Sequence, residues 1–449
     1  MIFTNGGNMA WYDSAIFYHM YPLGMVGAEK VNDGGKVRRR FDQLTAFIPY
    51  LKVLGCDAIY IGPLFESGSH GYDTTDYKTV DRRLGTNEDF RKFVDTAHNY
   101  GIHVIVDTVF NHTGRDFFAF KDIREKGPDS QYKDWYKGIN FGGRSPRGDN
   151  FGYSAWRGAW ELPELNFNNE HMRKYLIEVV QYWVDTFDID GLRLDCADVL
   201  DINFQKSLRY FTTQMKPDFW LMGEVIHGEY PRWVNAETLH SVTNYELHKS
   251  VYSGFNSHNF FEIAHNLNRN MNIARDLYLF LENHDVDRIA SKLDNKDNLK
   301  PCYMALFTMP GKPSIYYGGE FGLEGRKKDG CDDSPLRPSI NIDEMKPNSF
   351  TSFVAKLAEI HGKNSELHMG QYKELYLQCK QWAYARVDTN SAVITAINNA
   401  EEPAVFYVTL PVKGNVAFDL ITEEEIEIEQ DDRIMINLEP NSGKIIKIK

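Results

Sequence analysis

The chain's strongest constraint is a rhythm: eight apolar runs of strand length recur along most of it, with helix-like stretches in the gaps. They are AIFYHMYP from Ala15, DAIYIGPL from Asp57, HVIVDTVF from His103, GLRLDCAD from Gly191, WLMGEV from Trp220, SVTNYEL from Ser241, LYLFLENHD from Leu277 and PSIYYGGE from Pro313. Several are almost continuously apolar, as strands buried on both faces must be. In DQLTAFIPYLKVLG, from Asp42, Leu44, Phe47, Ile48 and Leu51 share one helical face. NEDFRKFVDTAHNYG opens with Asn87 as the expected cap and ends at Gly101. A longer amphipathic run starts at Glu170. Eight strands alternating with helices predict an α/β fold, the (β/α)₈ TIM barrel, rather than an open sheet.

Two regions break the rhythm. A segment rich in Gly, Asn and aromatics fills 113–168, too long for a plain loop and expected to be a small inserted domain. After 370 the pattern becomes short alternating runs between turn residues, such as SAVITAINN, AVFYVTL and RIMINL. These predict a C-terminal antiparallel β-sandwich over 370–449. The barrel then comprises 1–112 and 169–369. The acidic stretch EEEIEIEQDD alternates with Ile and reads as a solvated strand and turn.

A formal net charge of −13 excludes nucleic acid and anionic membrane as natural partners, but not a neutral ligand. Aromatics make up 14% of the chain, an excess that suits stacking against sugar rings and equally suits core packing. Five Cys without pairing or metal-ligand spacing are expected to be free thiols in a reducing compartment. The N-terminus has no basic region followed by an apolar run, and no stretch approaches membrane-span length, so a cytoplasmic location is expected. Oligomeric state is not legible.

Barrel chemistry sits at the C-terminal ends of the strands. The second strand leads into His70, Tyr72 and Asp73, and the third ends in Asp107, Asn111 and His112. Arg193 and Asp195 lie on the fourth, Glu224 ends the fifth, and Asn283, His284 and Asp285 end the seventh. A single buried Asp with an Arg partner is often a fold staple. Several acids converging on one rim raise each other's pKa at a cost in stability, which points to function. Glycoside hydrolysis needs such a set: one carboxylate as nucleophile or base, and one carboxylic acid for the leaving oxygen. Arg193 and Asp195, two apart on one strand, face the same way, so Arg193 can keep Asp195 ionised. His112 and His284 suit hydrogen bonds to hydroxyls; a metal site is the alternative, without a third His to support it.

These residues resemble a known family. DTVFNH (107–112), GLRLDCADV (191–199), GEV (223–225) and ENHDVDR (282–288) are similar, in order and spacing, to four conserved regions of the α-amylase superfamily, glycoside hydrolase family 13. LPELN (162–166) and GYDTTDY (71–77) resemble two further motifs of that family. The resemblance implies that Asp195 is the nucleophile, Glu224 the general acid/base and Asp285 the third acid, which binds hydroxyls and stabilises the transition state. It implies that Arg193, His112 and His284 surround the sugar, that Tyr72 stacks beneath it, and that Asp107 holds the site together. Arg337, in SPLRPSI, is a further candidate for substrate contact, and Trp156 and Trp160 are candidates for sugar stacking.

Within the superfamily the chain looks most like neopullulanases, cyclomaltodextrinases and maltogenic amylases. The first expected strand starts near Ala15, so the extra N-terminal domain usual in that group is not expected. Asp198-Val199 stands where many calcium-dependent members have Lys-His, so no cofactor is expected to be required. Asn111 remains a possible ligand to a structural calcium, and Asn32 and Asp33 fall short of a full ligand run. Cys196 replaces the Val common at its place and leans towards α-1,4 cleavage. The expected activity is retaining hydrolysis of α-1,4-glucans, with cyclodextrins or pullulan as further candidates. A transglycosidase or a sucrose- or trehalose-type enzyme is the alternative. A non-catalytic sugar-binding relative is disfavoured because all three acids are present.

Overall fold

A computed structural model describes residues 9–330, 332–341 and 345–449. Eight parallel strands form its central sheet: β1 (Phe17–Met20), β2 (Ala58–Ile61), β3 (His103–Thr108), β4 (Gly191–Leu194), β5 (Trp220–Gly223), β6 (Ser241–Val242), β7 (Tyr278–Phe280) and β8 (Lys312–Tyr316). The strand order is β6-β5-β4-β3-β2-β1-β8-β7. A parallel bridge between Thr243 and Tyr278, with Asn244 N–H donating to the Tyr278 carbonyl at 3.0 Å, closes this sheet into a barrel. The principal helices around it are α1 (Phe41–Leu54), α2 (Asn87–Asn99), α3 (Glu170–Phe187), α4 (Ile202–Met215), α5 (Tyr245–Asn256), α6 (Phe260–Arg269), α7 (Leu299–Thr308) and α8 (Ser349–Lys363).

The period-2 alternation of a strand assigns each side chain to a layer. Phe17, Ala58, Tyr60, Ile105, Trp220, Met222, Tyr278 and Phe280 pack together in the lower barrel interior. Tyr18, Ile59, Ile61, Leu192, Leu194 and Leu221 take the opposite parity and join the larger core with the helices. The inward parity continues upward into Asp107 on β3, Arg193 on β4 and, just past the strands, Asp195 and Glu224. Two residues, or one interior position, further up the same strands, the apolar plug gives way to charge.

Local signals set the helix ends. Leu44, Phe47, Ile48 and Leu51 of α1 are all buried, as their spacing predicts. Gly55 ends α1 with φ +95°, and a Cβ there would meet the Ala358 Cβ of α8 at 2.9 Å. The cap of α2 is Thr86, whose side chain accepts from Asp89 N–H. Asn87, the expected cap, instead ties α2 back to the chain: its Oδ1 accepts from Val80 N–H and its Nδ2 donates to the Lys78 carbonyl. The run SVTNYEL is strand only at Ser241–Val242. Asn244 accepts from Leu247 N–H and starts α5, so a capping Asn overrides the β-branched run before it.

A hairpin of Phe65–Ser67 and Thr74–Val80 follows β2 and carries Tyr72 at its turn. Between β3 and α3 the inserted segment has its own aromatic cluster, Phe120 against Tyr136, Phe151 and Tyr153. It is tied to the barrel rim by a bridge between His112 and Glu164.

Eight more strands follow: β9 (Gln371–Leu377), β10 (Gln381–Val387), β11 (Ala392–Asn398), β12 (Ala404–Thr409), β13 (Ala417–Asp419), β14 (Glu425–Ile426), β15 (Arg433–Leu438) and β16 (Ser442–Ile448). A six-stranded antiparallel sheet, β9-β10-β11-β16-β13-β14, faces the pair β12-β15. Ala385, Ile394, Phe406, Ile434, Ile436 and Ile446 fill the space between them. Asn399 links this sheet to the barrel: its Nδ2 donates to the Phe255 carbonyl and its Oδ1 accepts from Asn298, both at 2.8 Å. No helix among the described residues is long and apolar enough to cross a membrane.

Candidate active site

Arg193 organises the floor of the site. Its guanidinium donates to Asp107 Oδ1 at 2.9 Å and to Asp195 Oδ1 at 2.8 Å, and lies 3.0 Å from Glu224 Oε2. These groups come from adjacent strands, and the strand ladder positions them: Asp195 N–H donates to the Thr108 carbonyl, and Glu224 N–H to the Leu194 carbonyl. Burial disfavours charge on Arg193, yet the carboxylates around it, Asp107 and Glu224 foremost, keep it protonated.

Asp195 and Glu224 stand side by side. One oxygen of each and the Cys196 sulfur all lie within 4.8 Å of one another. Burial pushes the Asp195 carboxyl up to about 8, against the pull of Arg193 and with added repulsion from Glu224 and Asp107. The expectation that Arg193 keeps Asp195 ionised is thus corrected: burial outweighs the pull of the guanidinium and raises the carboxyl. Cys196 adopts a left-handed backbone, φ +49°, and its N–H donates to Glu224 Oε2 at 3.1 Å. The Tyr245 hydroxyl donates to the other Glu224 oxygen at 3.3 Å and accepts from Asn283 at 2.9 Å.

Asp285 stands across the cleft, with about a third of its side chain open. Burial opposes its ionisation, but the bond with His284 and the Arg337 guanidinium hold it well below the usual carboxylate range. His284 Nε2 is 3.1 Å from Asp285 Oδ2 and 2.5 Å from the Tyr72 oxygen. The Tyr72 hydroxyl donates to Asp107 Oδ2 at 3.0 Å, so Nε2 carries the proton of His284. Arg337 donates to Asp285 Oδ1 at 2.8 Å, to Asp333 at 3.1 Å and to the His284 carbonyl at 3.0 Å. His112 is kept neutral by burial, its pKa lowered to about 4, and its Nε2 bonds the Tyr72 carbonyl at 3.1 Å.

A cleft of about 1070 Å³ opens over them, lined by Tyr72, His112, Trp156, Asp195, Glu224 and Asp285, with Arg193 and His284 buried behind its wall. Asp107 is not on its wall. It is buried beneath the floor, receiving bonds from Tyr60, Tyr72 and Arg193. The two tryptophans of the inserted segment separate: Trp156 lines the cleft 5.8 Å from the His112 ring, whereas Trp160 packs on Tyr153 at 5.4 Å. Sequence reasoning missed Tyr245 and the Cys196 N–H, both of which touch Glu224. It had placed Tyr245 inside a strand, where no rule would aim it at the acid.

The possible calcium ligands Asn111, Asn32 and Asp33 all make bonds within the protein. Asn111 directs its Nδ2 at His112 Nδ1, 3.4 Å away, and its backbone carbonyl accepts from Leu165 N–H. Asn32 and Asp33 spend their Oδ1 atoms on the backbone N–H groups of Gly34 and Gly35. Of the five Cys, Cys56, Cys196 and Cys302 are buried free thiols and Cys379 is an exposed one; Cys331 lies outside the described residues.

The profile of the alpha amylase catalytic domain matches residues 41–368, and the chain belongs to that family, which makes it a glycoside hydrolase. It is 32% identical over 462 residues to a cyclomaltodextrinase of Thermoanaerobacter pseudethanolicus, covering 97% of this chain and 78% of that protein. An intracellular maltogenic amylase of Bacillus subtilis is 31% identical over 348 residues, covering 72% of this chain and 58% of that one. In fold, a solved cyclomaltodextrinase superposes with a TM-score of 0.86 at 24% identity, over 98% of this chain and 78% of the other.

Proposed function

We propose that the chain hydrolyses α-1,4-glucosidic bonds in malto-oligosaccharides and related α-glucans, with retention of configuration. One observation carries the reading. Asp195 and Glu224, bridged by a single guanidinium, bring oxygens within 4.8 Å of each other on the wall of an open cleft. Carboxyls about 5–5.5 Å apart serve retaining enzymes, whereas inverting ones need roughly 6.5–9.5 Å to admit a water.

Asp195 attacks the anomeric carbon while Glu224 gives its proton to the departing glycosidic oxygen. The carbon–oxygen bond breaks as an ester to Asp195 forms. Glu224, now a carboxylate, takes a proton from water, and the water oxygen displaces Asp195 and frees the sugar. Asp285, held ionised, faces the positive charge that develops on the ring. Arg193 disperses the negative charge that moves between the two carboxylates. Tyr72 offers a ring face for the sugar, and His284 and His112, bonded to the Tyr72 hydroxyl and carbonyl, hold that ring in place.

The names of the relatives support maltodextrin-type substrates, and a cleft of this volume, with Tyr72, Trp156 and Tyr245 on its walls, suits several linked rings. The acidic charge, the free buried thiols and the likeness to an intracellular amylase support work inside the cell. The capture of Asn32 and Asp33 Oδ1 by backbone N–H groups supports catalysis without calcium. A product time course with maltotetraose, pullulan and β-cyclodextrin, run beside Asp195→Asn, tests the reading. Turnover by the parent and none by the variant is expected. Products longer than the substrate would replace hydrolysis with glucosyl transfer, and no turnover of any of the three would overturn it.

A further inference from the structure

The mechanism uses two carboxylates and leaves unused the thiol between them. Cys196 Sγ, one Asp195 oxygen and one Glu224 oxygen are mutually within 4.8 Å, and among the described residues no other trio of His, Cys, Asp or Glu comes as close. All three residues line the cleft, so an ion reaches them without any unfolding. Arg193 engages Asp195 Oδ1 and Glu224 Oε2, leaving Asp195 Oδ2 and Glu224 Oε1 outside its bonds. Glu224 Oε1 receives one long bond, from Tyr245 at 3.3 Å.

We infer that Asp195, Cys196 and Glu224 form a site for a thiophilic divalent cation of the Zn²⁺ or Cd²⁺ class, which blocks the catalytic centre when bound. Only the competition with glucan rests on the proposed function; the binding itself does not. With Asp107, Asp195 and Glu224 ionised and Cys196 a thiolate, four negative charges face the single positive charge of Arg193, and a dication offsets two of the three in excess. The thiol proton leaves to solvent as sulfur coordinates.

Arg193 repels every dication alike, so the sulfur decides which one binds. Thiolate favours zinc-like ions, whereas Ca²⁺ and Mg²⁺ take oxygen sets. Ligand atoms about 2.0–2.3 Å from one ion stand roughly 3.5 Å apart, so the trio closes by no more than about 1 Å on binding. Rotation of the Asp195 and Glu224 side chains supplies that movement, and cleft water fills the fourth position.

The test is a Cd²⁺ titration of the whole chain, read by the thiolate-to-cadmium charge-transfer absorption in the ultraviolet. A saturable one-equivalent band is expected in the parent and in Cys379→Ser. It is expected to vanish in Cys196→Ser and Cys196→Ala, each checked for folding by circular dichroism. In Glu224→Gln the Cd²⁺ affinity is expected to fall by about tenfold or more. Ca²⁺ or Mg²⁺ in large excess leaves the band in place, and maltotetraose weakens apparent Cd²⁺ affinity. A band that survives in either folded Cys196 variant, one that disappears in Cys379→Ser, or an unchanged affinity in Glu224→Gln overturns the site. A Cys196-dependent band that maltotetraose does not touch upholds the ion site and counts against the glucan reading instead.

Discussion

Arg193 touches three carboxylates from inside the barrel, and no other side chain could serve all three: a planar guanidinium presents several donors in fixed directions, where an ammonium offers one point of charge. Arg193→Lys is therefore expected to lose most activity although it keeps the charge. Glu224→Gln keeps the shape of the acid and removes its proton, so kcat is expected to drop by about 10²–10⁴-fold. An aryl glucoside whose leaving group needs no proton is expected to be spared much of that loss, which a comparison of the two substrates checks. Asp195 attacks as the carboxylate, and burial raises it to about 8, so the attacking form grows as pH climbs through that value. kcat/KM is expected to rise with it; a pH–rate profile reads the limb. Arg337 reaches the chemistry through Asp285, and Arg337→Ala is expected to cost about 10²-fold in kcat/KM by letting that carboxylate move.

At the opposite end of the barrel, one acid pins several elements together. Asp190, just before β4, bonds His98 of α2 at 2.7 Å, Lys216 after α4 at 2.7 Å and the Val104 N–H of β3 at 2.8 Å. Burial opposes its charge, but His103, His98 and Lys216 outweigh that and hold its pKa below the usual range. Its stabilisation is thus present above the ordinary carboxylate pKa and is lost as pH falls through the lower, folded value. Its bond with Asp190 raises His98, against the effect of burial, so that contribution is full below pH 6.5 and fades as pH rises through the folded value. Asp190→Asn is expected to cost about 3–5 kcal/mol at neutral pH. The gap to the parent should narrow on acidification, which urea unfolding at a series of pH values measures.

On the scale of the molecule, the C-terminal sheet is fastened to the barrel by buried polar bonds as well as by packing. Asn399 is fully buried and spends both side-chain groups across the junction. Asn399→Ala strands a carbonyl and an amide away from water, at about 1–3 kcal/mol each. A lower Tm is expected, still in one calorimetric transition if barrel and sheet unfold together. With Asn32 and Asp33 Oδ1 held by backbone N–H groups, a chelator is expected to leave both Tm and activity unchanged, which the same measurement checks.

The eight-strand rhythm and the parity of residues within each strand were enough to read the barrel and to place Asp107, Arg193, Asp195 and Glu224 towards its axis, because alternation along a strand is a local rule. Asp285 and His284, beyond the end of β7, were legible by their place in the ENHDVDR motif. What alternation could not reach were contacts set by how loops and helix ends meet in space. The Cys196 N–H finds Glu224 only because a left-handed turn follows β4, and Tyr245 finds the same acid only because α5 starts four residues after Ser241. Trp156 and Trp160 stand in one short stretch of near-identical composition, yet one faces the cleft and the other the inserted core. Strand period and motif order are encoded by neighbours along the chain. The partners of a carboxylate, and hence its charge, were decided by which elements the closed barrel presses together.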